Sequence, residues 1–69
     1  MNKYVIPICN IPESKIYNLV INANSYNACQ DKIMEKLADY SECDTYNEFI
    51  DDLDRQDILV GRIADIEEL

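Results

Sequence analysis

The hydrophobic and polar positions of this chain predict two strands, then two helices, then a last strand. Residues 16–23 alternate between apolar and polar side chains, which is typical of a half-buried antiparallel strand. Its apolar face would consist of Tyr17, Leu19, Ile21 and Ala23. Residues 3–9 are rich in β-branched and aromatic side chains and predict an earlier strand. The Asn and Pro residues of 10–14 predict a turn, so the two strands should form a hairpin.

Apolar residues then recur every three or four positions, which predicts two helices. Either Asn24 or Ser25 would cap the first helix, which should run to about Tyr40. Its apolar stripe would consist of Tyr26, Cys29, Ile33, Leu37 and Tyr40. Thr45 and Glu48 fit a capping box, which predicts a shorter second helix that ends at about residue 54. The inward residues of that helix would be Phe49, Ile50 and Leu53.

Residues 58–64 predict the last strand, and residues 65–69 predict a turn or a frayed end. The side chains of Ile66 and Leu69 would fold back on the core. The single glycine, Gly61, lies inside the pattern of the last strand. A lone glycine there indicates a bulge or a close approach of two backbones.

These elements predict one α+β domain over residues 1–69. Its sheet would be three-stranded and mostly antiparallel, in the chain order ββααβ, with both helices packed on one face. Pro7 cannot donate a hydrogen bond to a neighbouring strand, so the first strand should lie at an edge of the sheet or be bulged there. The predicted spatial order is therefore 1-2-3, with the third strand antiparallel to the second.

Charge is distributed unevenly along the chain. The net charge is −8: residues 1–36 hold four Lys against three carboxylates, which is +1, and residues 37–69 hold two Arg against eleven carboxylates, which is −9. The carboxylates around the predicted second helix are those of Asp44, Glu48, Asp51, Asp52, Asp54 and Asp57. We predict that these six residues contact a protein partner with a basic surface. The alternative is a solvated helix face that only keeps the domain soluble.

The composition argues against catalysis and against cofactors. There is no His, which removes the commonest general base and the commonest metal ligand. The three cysteines, Cys9, Cys29 and Cys43, lack any CxxC spacing and should be reduced thiols. The aspartate cluster lacks the central glycine of a calcium-binding loop. We therefore predict no catalytic residue, no metal site and no cofactor.

Sequence features also bear on location and on direct binding to nucleic acid. The apolar run near the N-terminus is too short for a signal peptide and is interrupted by Pro7. No stretch approaches the roughly 20 apolar residues of a membrane span, so a cytoplasmic protein without a membrane partner is expected. The negative field would repel phosphates, which disfavours direct binding of DNA or RNA.

The segment INANSYNA, at residues 21–28, runs from the second strand into the capped helix. It resembles the small DpnD/PcfM-like accessory proteins of conjugative plasmids and phage. The chain is also similar to such proteins in its content of Asn, Ile, Asp and Tyr. The resemblance implies an accessory role in a mobile genetic element, such as a conjugative transposon, a plasmid or a phage, and it assigns no catalytic residue.

Three functions remain open. The first is an acidic accessory protein of a mobile element that binds another protein without catalysis. The second is an acidic nucleic-acid mimic that inhibits a DNA-binding enzyme, because an array of carboxylates can take the place of phosphates. The third is a self-assembling structural module, for which the mixed outer face of the second strand (Ile16 and Val20) or an uncovered sheet edge would form a dimer.

Overall fold

A computed structural model of the chain describes residues 2–66 and confirms the α+β fold. The elements are β1 (Asn2–Asn10), β2 (Lys15–Ala23), α1 (Tyr26–Lys36), α2 (Tyr46–Arg55), β3 (Ile58–Val60) and β4 (Ala64–Asp65). β1 lies in the middle of the sheet, with β2 on one side and both β3 and β4 on the other, and every pairing is antiparallel. Both helices pack on one face of the sheet, α1 against β2 and α2 against β3.

The spatial order β2-β1-β3 shows that the predicted order 1-2-3 was wrong. Pro7 lies in the central strand, and its carbonyl oxygen accepts a hydrogen bond of 2.7 Å from the N–H of Gly61. A residue of an antiparallel strand directs its N–H and C=O toward the same neighbour, so the substituted nitrogen of Pro7 also faces the β3–β4 side. The strand pairing between β1 and its β3–β4 neighbours is interrupted at residues 61–63. The central strand therefore tolerates a proline, which has no N–H to donate at this position. β3 is consequently antiparallel to β1 and not to β2.

The predicted last strand is broken into β3 and β4 by one extra residue. The register shifts between the two strands, so that Ile6 of β1 faces both Arg62 and Ile63, which is the arrangement of a β-bulge. Gly61 lies so close to Pro7 that a Cβ atom added to the glycine would be 2.4 Å from the Cγ of the proline ring. Both features that the lone glycine indicated, a bulge and a close approach, are therefore confirmed.

The hydrophobic core fills the space between the inner face of the sheet and the two helices. Its buried apolar residues are Tyr4, Ile6, Ile8, Ile21, Ala23, Cys29, Ile33, Leu37, Phe49, Leu53, Ile58 and Ile63. Phe49 and Leu53 are fully buried, as predicted, whereas Ile50 is only half-buried. On α1 the predicted stripe is buried in its middle, while Tyr26 at its start is exposed. One cluster therefore joins both helices to the sheet.

Both helices begin at the residues that the sequence indicated. Ser25 caps α1, because its hydroxyl accepts a hydrogen bond of 3.1 Å from the N–H of Ala28. Thr45 caps α2 in the same way, with the N–H of Glu48 as the donor. α1 ends at Lys36, one turn earlier than predicted, and a turn follows at residues 37–40. Contacts of Tyr40, described below, hold that turn.

Two further predictions concern the C-terminal end and a membrane. Ile66 is 36% exposed, so it does not fold back into the core as predicted, and Leu69 lies outside the described residues. Neither of the helices in residues 2–66 has the length and apolar composition needed to cross a lipid bilayer.

Candidate functional site

α2 positions the carboxylates that the sequence identified as a contact surface. The cap at Thr45 fixes where the helix begins, and Arg55 lies in the last turn, where a positive charge stabilises a helix. Phe49 and Leu53 hold one face of α2 on the sheet. The opposite face is therefore turned to solvent, and it carries the exposed carboxylates of Glu48, Asp51 and Asp54.

Five of the six predicted contact residues are exposed, and we call them the acidic surface. Its members are Asp44, Glu48, Asp51, Asp54 and Asp57. Glu48, Asp51 and Asp54 follow one another at a spacing of three, which places their Cβ atoms about 5–6 Å apart along the helix. Asp44 and Asp57 flank the two ends of α2, so the acidic surface extends beyond the roughly 15 Å of a ten-residue helix.

Asp52, the sixth predicted contact residue, lies in a structural hydrogen-bond network instead. Its Oδ2 accepts hydrogen bonds from the hydroxyl of Ser41 at 2.5 Å and from the Nε2 of Gln56 at 3.3 Å. Ser41 is buried and Asp52 is half-buried, so this carboxylate is directed at the chain itself. Because Asp51 and Asp54 beside it are also acidic, the hydrophobic pattern alone did not separate Asp52 from the exposed carboxylates.

The hydrogen-bond network continues from α2 to the turn between β1 and β2. It fixes the residues that flank the acidic surface. The Nε2 of Gln56 also donates to the carbonyl oxygen of Tyr40 at 2.9 Å. The hydroxyl of Tyr40 donates to Glu13 at 2.6 Å, and this hydrogen bond raises the pKa of Tyr40. The buried Asn10 donates to the same carboxylate of Glu13 and accepts from its backbone N–H. Three separate parts of the chain are thus tied together behind α2.

Two cations lie at the acidic surface: Arg55 on α2, and Arg62, which lines the same groove as Asp51. Arg55 is exposed and follows Asp51 by four residues, a spacing at which opposite charges on a helix attract. Two guanidinium groups against the five carboxylates still leave the surface negative, so its electrostatic complement is a cationic surface.

Cysteines and groups of metal-ligating side chains are the other candidates for a site in the described residues. All three cysteines are free in the structure, with Cys29 buried and Cys9 and Cys43 half-buried, and their reduced state stays a prediction. Burial raises the pKa of Cys29 and so disfavours its reactive thiolate form. Within residues 2–66, no three Cys, Asp or Glu side chains are grouped so that they could hold a metal ion.

The outer face of the sheet is the second exposed feature. Ile16 is 84% exposed, Val20 is 54% exposed and Leu59 is 43% exposed. Cys9 of β1 pairs with Ile16 on one side and with Leu59 on the other, so these three residues form one row across the sheet. The sequence indicated Ile16 and Val20 but missed Leu59, because its place depends on the strand order.

Comparisons with protein-family models, with curated proteins and with solved structures find no match to this chain. The resemblance of residues 21–28 to the DpnD/PcfM-like proteins therefore stays a prediction. What the molecule does has to be argued from its own surfaces.

Proposed function

We propose that this chain is a small acidic accessory protein that binds a basic surface of another protein and performs no chemistry itself. The observation that carries the proposal is the exposure of five carboxylates on and beside α2, a helix whose opposite face is fixed in the core. The resemblance noted at residues 21–28 supports a partner from the machinery of a conjugative element or phage.

The acidic surface is suited to binding because its support is rigid. Phe49 and Leu53 are fully buried, so α2 does not have to become ordered when a partner arrives. The hydrogen bonds of Asp52 and Gln56 fix the C-terminal part of the helix against the turn before it. A contact surface that is ordered in advance loses less conformational entropy on association.

The charge of the surface determines the kind of partner and the conditions of binding. Residues 37–69 carry −9, and the near-neutral residues 1–36 form the other side of the molecule. Such a directed field accelerates encounter with a cationic partner and orients it. At 0.1 M salt the screening length is about 10 Å, so we expect binding to weaken steeply as salt rises.

The experiment is a capture from a lysate of cells that carry the gene, with two charge-neutralised variants as baits beside the native chain. The α2-neutral variant is Glu48→Gln, Asp51→Asn and Asp54→Asn. The α1-neutral variant is Asp31→Asn, Glu35→Gln and Asp39→Asn, at exposed positions in and just after α1. Each variant removes three carboxylates and moves the net charge from −8 to −5. Asp52 is left intact in both, because it belongs to the folded network.

We expect the native chain and the α1-neutral variant to retain the same protein, released by salt, and the α2-neutral variant to lose it. Equal loss from both variants would show that only net charge matters and would contradict the proposal. Duplex DNA is added to a further sample of the native complex. Release of the partner by DNA would support the nucleic-acid mimic instead, because DNA would then compete for the same basic groove.

A further inference from the structure

The two edges of the sheet are built differently. One edge consists of β3 and β4, which have three and two residues and are separated by the bulge opposite Ile6. Short strands and bulges are means by which proteins prevent a sheet edge from pairing with another chain. The other edge is β2, a continuous strand of nine residues that, among residues 2–66, pairs with β1 on one side only.

The backbone groups of β2 that face this open edge can be assigned from the register. Pro7 directs its C=O toward Gly61, so its partner across the β1–β2 pair, Asn18, directs its N–H and C=O away from β1. The direction alternates along a strand, so Ile16 and Val20 also present their backbone groups to the open side. Three consecutive outward positions are therefore ready to accept another strand.

A lysine closes one end of the open edge. The Nζ of Lys32 in α1 donates to the backbone carbonyl of Asn22 at 2.5 Å. This contact shows independently that Asn22, two residues beyond Val20, also faces the open side. The edge that remains accessible is thus the segment from Ile16 to Val20, centred on Asn18.

We infer that a second copy of this chain pairs with β2 through this segment, as an antiparallel strand with its two-fold axis at Asn18. In that register Ile16 of each copy lies opposite Val20 of the other, and the two Asn18 residues face each other. Apolar β-branched pairs and amide pairs across a strand are both stabilising. A shift by two residues would instead place Val20 opposite a polar residue, Asn18 or Ser14.

The inner face and the charge distribution fit the same pairing. Tyr17, which is exposed, would lie opposite the half-buried Leu19 of the other copy and cover it. Residues 16–23 contain no charged side chain. The acidic surface lies over β3, at the opposite side of the sheet, so the second copy joins where repulsion between two chains of charge −8 is smallest.

The contact is small, which determines how the dimer should behave. Five residues of a strand span about 17 Å, and a pairing of that length buries less than the roughly 800 Å² per partner of standard interfaces. We therefore expect a reversible dimer that is populated only at high protein concentration. It would leave the acidic surface of each copy free.

Sedimentation equilibrium of the native chain between 10 µM and 1 mM tests the inference. The average mass should rise from that of the 8.0 kDa chain toward twice that value. An average mass that still equals that of a single chain at 1 mM would overturn the inference. The open edge of β2 would then be left for a strand of another protein. This outcome would not affect the proposed binding through α2, which is measured with a different partner.

Three variants distinguish edge pairing from stacking of the outer faces. Asn18→Pro removes an N–H that faces the open edge and leaves the bonds to β1 intact, and Val20→Lys places like charges beside the two-fold axis. Leu59→Lys is the matched control, because Leu59 lies on the same outer face but on β3. We expect the first two to remain single chains and Leu59→Lys to form the dimer. If Leu59→Lys abolishes it as well, face stacking is correct and edge pairing is wrong.

Amide hydrogen exchange of the native chain provides a test without any variant. Between 10 µM and 1 mM, exchange at Ile16, Asn18 and Val20 should slow in proportion to the fraction of dimer. Val60 is the internal control, because its N–H faces the other edge of the sheet, beyond β3. Equal slowing at Val60, or none at Asn18 while the mass doubles, would contradict pairing through β2.

Discussion

The β2–α1 side and the α2–β3 side of the sheet differ in charge, in polarity and in the form of their edges. The β2–α1 side derives from the near-neutral residues 1–36 and presents a long open strand with exposed apolar side chains. The α2–β3 side derives from residues 37–69, carries the acidic surface and ends in two short strands. The comparison shows that an uneven linear charge becomes an uneven three-dimensional surface, because each half of the chain supplies one side of the fold.

Truncating Phe49, which anchors α2 in the core, should have the largest effect on stability. It should also show whether the two sides of the sheet unfold together. Phe49→Ala leaves a cavity beneath α2, and we expect it to lower the free energy of unfolding by about 3–5 kcal/mol. Urea denaturation should show one transition, with helix signal and tyrosine fluorescence lost together, because one core joins both sides. Two separate transitions would contradict this. The exposed Asn47→Ala is the control and should change stability by less than about 0.5 kcal/mol.

The close approach of Gly61 to Pro7, beside the β3–β4 edge of the sheet, is expected to have the next largest effect. Gly61→Ala places a methyl group against the rigid ring of Pro7, and we expect a loss of about 1–3 kcal/mol. In a Pro7→Ala background the ring is absent, so the same glycine substitution should cost clearly less. Urea midpoints of the four chains complete this double-mutant cycle. A cost of Gly61→Ala that is equal in both backgrounds would show that the ring contact is unimportant.

Two neighbouring aspartates should respond differently within the acidic side. Asp52→Ala leaves the buried hydroxyl of Ser41 without its acceptor, which should cost about 1–3 kcal/mol. Asp51→Ala removes an exposed carboxylate, and its effect should stay within about 0.5 kcal/mol. Thermal denaturation of both variants gives the answer. Equal effects would mean that Asp52 is a surface residue like the others and belongs to the contact.

A smaller effect is expected from Tyr46, where α2 meets α1. Burial, followed by the nearby Tyr26 and Cys29, raises the pKa of Tyr46 to about 12. The unfolded chain, with a tyrosine pKa of about 10, releases this proton first, so stability should fall as pH rises from about 10 to 12. The stabilisation is fully present below pH 10. Tyr46→Phe should reduce the difference between urea midpoints at pH 8 and pH 11.5, and an unchanged difference would contradict the assignment.

Local features of the sequence predicted local structure well. The alternation at residues 16–23 and the hydroxyls of Ser25 and Thr45 indicated β2 and the starts of both helices, because periodicity and capping depend only on nearby residues. The exposure of Ile16 and Val20 followed from the same alternation. Five of the six predicted contact residues lie on the acidic surface for the same reason.

The failed predictions depend on residues far apart in the chain. Pro7 alone indicated an edge strand, and only its contact with Gly61 shows how a central strand accommodates it. Asp52 has acidic neighbours, and only Ser41, eleven residues earlier, shows that it belongs to the folded network. Strand order and hydrogen-bond partners of this kind cannot be derived from periodicity.

The central claim is that the negative field is concentrated on and around α2. NMR spectroscopy of the labelled chain, titrated with a short lysine-rich peptide at low salt and at a protein concentration too low for pairing of β2, tests it most directly. Amide shifts should change at residues 44–57, remain constant at 15–23 and return to their starting values when salt is added. Shifts of similar size at both segments would contradict the claim, because they would show a field spread evenly over the molecule.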